Sequence, residues 1–133
     1  MNADELITKI RWNLPETDDV LKLYKVSKRK DLDISTFTAG IWLKLKKGKI
    51  ENARLAYGGV GPVVLRLPET EEFLLDKPLL PEIFQQAGKI ARNEIRPISD
   101  VRSSSDYRSQ LAENILLKFF HECCDSLNKK EAA

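Results

Sequence analysis

At 133 residues the chain has the length of one domain, and a 42% hydrophobic content is enough for a core without disulfides or metal. Its 22 Lys and Arg against 20 Asp and Glu leave a formal net charge of +2, too nearly balanced to argue for nucleic acid or another polyanion as partner. The two cysteines are adjacent, Cys123-Cys124, so they form no ordinary disulfide with each other and fall short of the four thiolates of an iron–sulfur cluster; a reducing, cytoplasmic setting is expected.

No stretch reaches the roughly 18 continuous apolar residues of a membrane span. The start, Met1-Asn2-Ala3-Asp4-Glu5, lacks the basic-then-apolar order of a secretory signal. No membrane association is expected. Glu5 to Trp12 reads as a short strand closed by Asn13-Leu14-Pro15, and little chain precedes it to supply partners. Such a strand is either an edge strand of this domain or the end of another domain's sheet.

Val20 to Val26 alternates as a strand, with Leu21 and Leu23 on one side and Lys22, Tyr24 and Val26 on the other. Lys25 then sits with the apolar side, either snorkelling at the strand end or held as a cation for an anionic ligand. Ser27 to Asp33 is a charged loop of mixed sign. Ile34 to Lys47 contains the clearest strand, with Ala39, Ile41, Leu43 and Leu45 opposite Gly40, Trp42, Lys44 and Lys46. A turn at Lys47-Gly48 leads into Ile50 to Tyr57, which makes a hairpin and, with the preceding strand, a meander. That strand carries Ala53, Leu55 and Tyr57 on its packed face and stops at Gly58-Gly59, followed by Val60-Gly61-Pro62, where a strand-to-helix corner is expected.

From Pro68 the period becomes helical. Pro68 with Glu69, Glu71 and Glu72 opens a short helix ending near Asp76-Lys77-Pro78. A second opens at Pro81, repeats Ile83, Phe84, Ala87, Ile90, Ala91 and Ile95 at helical spacing, and is stopped by Pro97. Gly88 inside it costs about 1 kcal/mol against alanine, so close packing is expected there. The third and longest follows the N-cap candidates Ser103 to Asp106, with Tyr107, Leu111, Ile115, Phe119, Cys123 and Leu127 as its apolar stripe, widened by Leu116 and Phe120. The reading is α+β: an antiparallel three- to four-stranded meander followed by three helices packed on one face.

The chain holds no self-sufficient catalytic site on this reading, and neither catalytic nor metal-binding residues are assigned. His121-Glu122-Cys123-Cys124 are consecutive on one helix, about 100° apart, and cannot converge on one ion. His121 is the single histidine and falls on the helix's polar face. The paired carboxylates Glu71-Glu72 and Asp18-Asp19 sit in a helix start and a loop.

Three stretches, taken together, carry a resemblance: Tyr24-Lys25-Val26-Ser27-Lys28-Arg29-Lys30-Asp31-Leu32-Asp33-Ile34, then Ala56-Tyr57-Gly58-Gly59, then Pro97 to Arg108 with Asp100, Arg102 and Tyr107. In order and spacing they resemble the C-terminal domain of the FAD-binding subunit of molybdenum hydroxylases, the xanthine dehydrogenase and carbon monoxide dehydrogenase type. The resemblance covers about residues 14–127; residues 1–13 look like the terminal strand of that family's preceding FAD domain, and residues 128–133 are expected to be a frayed tail.

The resemblance implies an electron-transfer role within an oxidoreductase. In that family a molybdenum centre oxidises the substrate, 2Fe-2S clusters relay electrons, and FAD passes them to NAD or another acceptor. This chain would be one wall of the flavin site, inactive alone. It would share FAD with a preceding domain and be completed by an FAD-binding domain, an iron–sulfur domain or subunit and a molybdenum-binding subunit. Lys25 matches the family lysine that reaches the flavin. Arg29 and Asp33 match the charged loop at the flavin edge, with Leu32 in place of an often acidic neighbour. Tyr57-Gly58-Gly59 and the Asp100, Arg102, Tyr107, Arg108 group also match and are read as structural, Asp100 with Arg102 tying the second helix to the third. The alternative is a free-standing protein- or nucleic-acid-binding module without redox role, acting through Lys28-Arg29-Lys30 and Lys44, Lys46, Lys47 and Lys49.

Overall fold

The computed structural model describes residue 2, residues 4–16 and residues 19–131, with side chains followed to residue 125. Asp18 of the carboxylate pair and the side chains of Leu127, Lys129 and Lys130 therefore lie outside the described residues. Four strands come first, β1 (Asp19–Val26), β2 (Phe37–Lys46), β3 (Lys49–Gly58) and β4 (Leu65–Arg66); three helices follow, α1 (Pro68–Leu74), α2 (Pro81–Glu94) and α3 (Ser105–Glu131). The strands form one antiparallel sheet in the order β1-β2-β3-β4.

The hairpin between β2 and β3 turns on Lys47 and Gly48, at φ 51° and 76°. Two left-handed residues give a turn whose twist matches that of the flanking strands. The expected alternation then decides what is buried: Ala53, Leu55 and Tyr57 on β3 are fully enclosed, as are Ile41 and Leu43 on β2. Directly paired residues share a face of the sheet, so Tyr24, Ala39 and Tyr57 form one inward row and Val20, Leu43 and Ala53 another. The Tyr57 ring meets Phe37 edge-on at 5.1 Å, and its hydroxyl donates to the Ala112 carbonyl of α3 at 3.2 Å. Tyr24 reaches the same helix, donating to Glu122 at 2.9 Å.

The helices cover only that inward face. Phe84 of α2 stacks with Phe119 and Phe120 of α3 at centroid distances of 6.1 and 5.4 Å. Gly88 allows the two helices to touch, since a Cβ there would lie 2.4 Å from the Glu113 carbonyl oxygen. The first helix has no side-chain cap of its own; the Glu94 carboxylate ending α2 accepts instead from the Glu69 and Thr70 N–H groups, both at 2.9 Å.

Five details depart from expectation. Residues 5–12 form no strand: Leu6, Ile7, Ile10 and Trp12 are all exposed, because a strand pattern without a neighbouring edge has no ladder to join. The corner at Gly58-Gly59 leads first to β4, two residues long and too short to leave a periodic trace, before the helices begin. Tyr107 is half exposed, and Arg108 takes a buried place in its turn of α3. The α3 backbone runs through Glu131, into the stretch 128–133 expected to be a frayed tail. Finally, the Asp100 side chain binds Arg108 at 2.8 Å, whereas the Arg102 guanidinium stays 3.9 Å away and only its backbone N–H bonds Asp100.

Candidate functional site

With three helices against one side, the other side of the sheet is open. Its outward rows are Asp19, Lys44 and Asn52; then Leu21, Trp42 and Arg54; then Leu23, Gly40, Ala56 and Arg66; then Lys25, Thr38 and Gly58. Exposed aliphatic side chains lie here among the charged ends of Lys25, Lys44, Arg54 and Arg66. Leu21 is 44% and Leu23 78% exposed, so β1 presents aliphatic side chains away from the core while Val20 and Tyr24 serve the core.

Lys25 stands at the end of this face, its backbone fixed by pairing with Thr38. Among the described residues nothing forms a hydrogen bond or ion pair with it. Beside it the surface is flat, because Gly58 faces Thr38: a Cβ on that glycine would lie 2.4 Å from the threonine hydroxyl oxygen. Next along, a shallow recess of about 250 Å³ runs over Gly40, Trp42 and Ala56 between Leu21 and the arginines Arg54 and Arg66. Glu71 holds Arg66 by two bonds of 2.8 and 2.6 Å. A larger hollow of about 510 Å³ lies between the same rows and Trp12 to Glu16, whose Glu16 binds Lys44 at 2.9 Å.

Arg29 and Asp33 are brought together in the loop after β1, and Lys25 is bound to neither. The Asp33 carboxylate accepts from the Arg29 and Ile34 N–H groups at 2.9 Å and lies 3.6 Å from the Arg29 guanidinium. The Arg29 N–H, then the Ile34 N–H and the guanidinium, hold the Asp33 carboxyl below the usual carboxylate range. Asp33 is thus a staple closing the loop, while Arg29 projects 75% exposed. Leu32, fully exposed at φ 51°, forms the tip.

The last helix offers no competing chemistry. His121 is exposed against the edge of Phe120 at 5.2 Å, and burial raises the Cys123 thiol to about 11, too high for a reactive thiolate. Lys46 is occupied by Glu51 at 2.6 Å. With Lys44 and Lys46 paired, only Lys47 and Lys49 of that lysine group are without an ion pair among the described residues. The open face can therefore receive a flat group over its small side chains, with the Lys25 ammonium beside it. Sequence reasoning assigned Lys25 but not Thr38, Gly58 or Trp42. The signal for them was Leu21 and Leu23 on the side of β1 opposite Val20 and Tyr24.

The profile of one protein family, the CO dehydrogenase flavoprotein C-terminal domain, matches residues 22–123. Among curated proteins, the chain is 32% identical over 121 residues to the glyceraldehyde dehydrogenase medium chain of Sulfolobus acidocaldarius, covering 91% of this chain and 42% of that one. It is 36% identical over 127 residues to the xanthine dehydrogenase of Blastobotrys adeninivorans, covering 89% of this chain and 9% of that protein. A solved carbon monoxide dehydrogenase from Hydrogenophaga pseudoflava superposes with a TM-score of 0.72 at 26% identity, over 77% of this chain and 36% of that one. The chain thus spans less than half the length of these relatives.

Proposed function

The chain belongs to the CO dehydrogenase flavoprotein C-terminal domain family, and we propose that it forms one wall of the FAD site in a molybdenum hydroxylase of the xanthine dehydrogenase type. The observation that carries this reading is Lys25: a cation without a partner among the described residues, on a paired strand, beside the flat Thr38–Gly58 row of the sheet face that the helices leave open. These residues fit a flavin. The small side chains of the outward rows leave room for a planar ring, and Leu21, Leu23 and Trp42 shield it from water.

When bound, FAD carries electrons from a molybdenum centre and 2Fe-2S clusters, held by partner domains or subunits, to NAD or another acceptor. The residues of this chain bind and orient. The ammonium of Lys25 favours negative charge on its ligand, and its strand backbone is already ordered, so little rearrangement is needed when that charge develops. Arg29 on its stapled loop stands at the margin of the site, where it influences access of the acceptor; Asp33 fixes the loop. Residues 14–127 form the domain on this reading, residues 1–13 continue from an FAD-binding domain, residues 128–133 are a tail, and the assembled enzyme is cytoplasmic. No helix of the described residues is long and apolar enough to cross a membrane.

Replacing Lys25 tests the assignment. In the assembled flavoprotein, Lys25→Ala is expected to lower flavin content or slow flavin reoxidation by about tenfold, the worth of one charge-assisted contact, while the isolated chain keeps its thermal midpoint. Unchanged flavin content and kinetics would remove Lys25 from the site.

A further inference from the structure

Away from the open sheet face, another recess of about 320 Å³ lies between the Gly59–Pro62 turn and the connection from α2 to α3, on Arg96, Asp100, Arg102 and Arg108. We propose that it binds an oxyanion of the phosphate class. This inference does not depend on the flavin reading, since neither Lys25 nor the open sheet face takes part.

Three guanidinium groups face one carboxylate here. Arg108 is only 3% exposed. It donates Nη1 to the Ile98 carbonyl at 2.6 Å and Nη2 to Asp100 at 2.8 Å, and its Nε is buried without a partner. Asp100 Oδ1 accepts also from the backbone N–H groups of Arg102 and Ser103 at 2.9 and 3.1 Å, whereas its Oδ2 has no hydrogen bond among the described residues. One carboxylate against the guanidinium groups of Arg96, Arg102 and Arg108 leaves the recess with net positive charge. The Arg102 guanidinium lies 3.9 Å from Asp100, beyond hydrogen-bond reach. Arg96 spends one nitrogen on the Asn93 and Ile95 carbonyls, both at 2.6 Å, and no carboxylate among the described residues pairs with it.

Two exposed guanidinium forks over a buried third suit a tetrahedral oxyanion, because planar N–H pairs match phosphate oxygens two at a time. Gly59, Gly61 and Pro62 form the opposite wall of the recess. Lys28 donates to the Val101 carbonyl at 3.0 Å, next to Arg102. An occupied recess thus adjoins the loop that carries Arg29 and Asp33.

The test is a titration of the isotopically labelled full chain followed by NMR, reading the Gly59, Gly61 and Arg102 amides and the arginine Nε–H signals. Inorganic phosphate, adenosine 5′-monophosphate and sodium chloride are compared at matched ionic strength. Saturable shifts at these positions with either phosphate, absent with chloride, are expected, and which phosphate binds tells free ion from nucleotide as the source. R96Q and R102Q, both at exposed side chains, are each expected to weaken binding about tenfold, with K46Q as an unaffected control. Shifts that follow ionic strength alike for all three salts, or undiminished binding by the R96Q/R102Q double variant, would overturn the proposal.

Discussion

Truncating Glu71 to alanine would strip the buried Leu55 N–H of its acceptor, now 2.7 Å away, and release Arg66. A buried donor left unpaired sets the expected loss at about 2–3 kcal/mol, read from the urea midpoint. Asp100 gives a prediction in pH. Its bond to Arg108, then the Arg102 and Ser103 N–H groups, hold its carboxyl at about 2 against 3.8 unfolded. The depressed folded value means stability is fully present above pH 3.8 and is lost as pH falls towards 2. Asp100→Asn is therefore expected to flatten the fall in thermal midpoint across that window; an unchanged slope would show that other carboxylates govern it. That Asp100 and an arginine would pair was legible in the sequence. Which arginine was not, because Arg102 is nearer along the chain while the first turn of α3 swings Arg108 inward.

For the elements, period-two and period-3.6 patterns were enough wherever an element was long. The β2–β3 hairpin followed from its alternation and its Lys47-Gly48 turn, and α2 from its two bounding prolines. What failed was context. Residues 5–12 carry a strand's composition but no ladder, and β4 is a strand only because β3 lies beside it. The α2–α3 crossing yields a prediction whose sign must be decided between two effects. Gly88→Ala gains about 1 kcal/mol of helix propensity, but its Cβ meets the Glu113 backbone carbonyl at 2.4 Å. Backbone cannot swing aside as a flexible side chain does, so the clash wins. A net loss of about 1–3 kcal/mol is expected, seen as a lower denaturant midpoint at unchanged slope. A stabilised variant would mean the helices separate there more easily than their contact suggests.

Over the whole molecule, the division of labour is between the two faces of one sheet. Three helices seal one face into a core; the other keeps Leu21, Leu23 and Trp42 outside with Lys25 at its end. The sequence placed Lys25 with those leucines, yet could not tell that their side is the open one. That depends on which row Ala39, Leu55 and Tyr57 turn towards α3, a matter of packing between distant segments. The central claim is that this open face completes a flavin site begun elsewhere. It is tested most directly by titrating FAD into the purified chain, into a separately produced FAD-binding domain, and into their mixture, following quenching of flavin fluorescence. No binding by the chain alone is expected, and tighter binding by the mixture than by the FAD-binding domain, with the gain lost in Lys25→Ala. Equal affinity with and without the chain would contradict it.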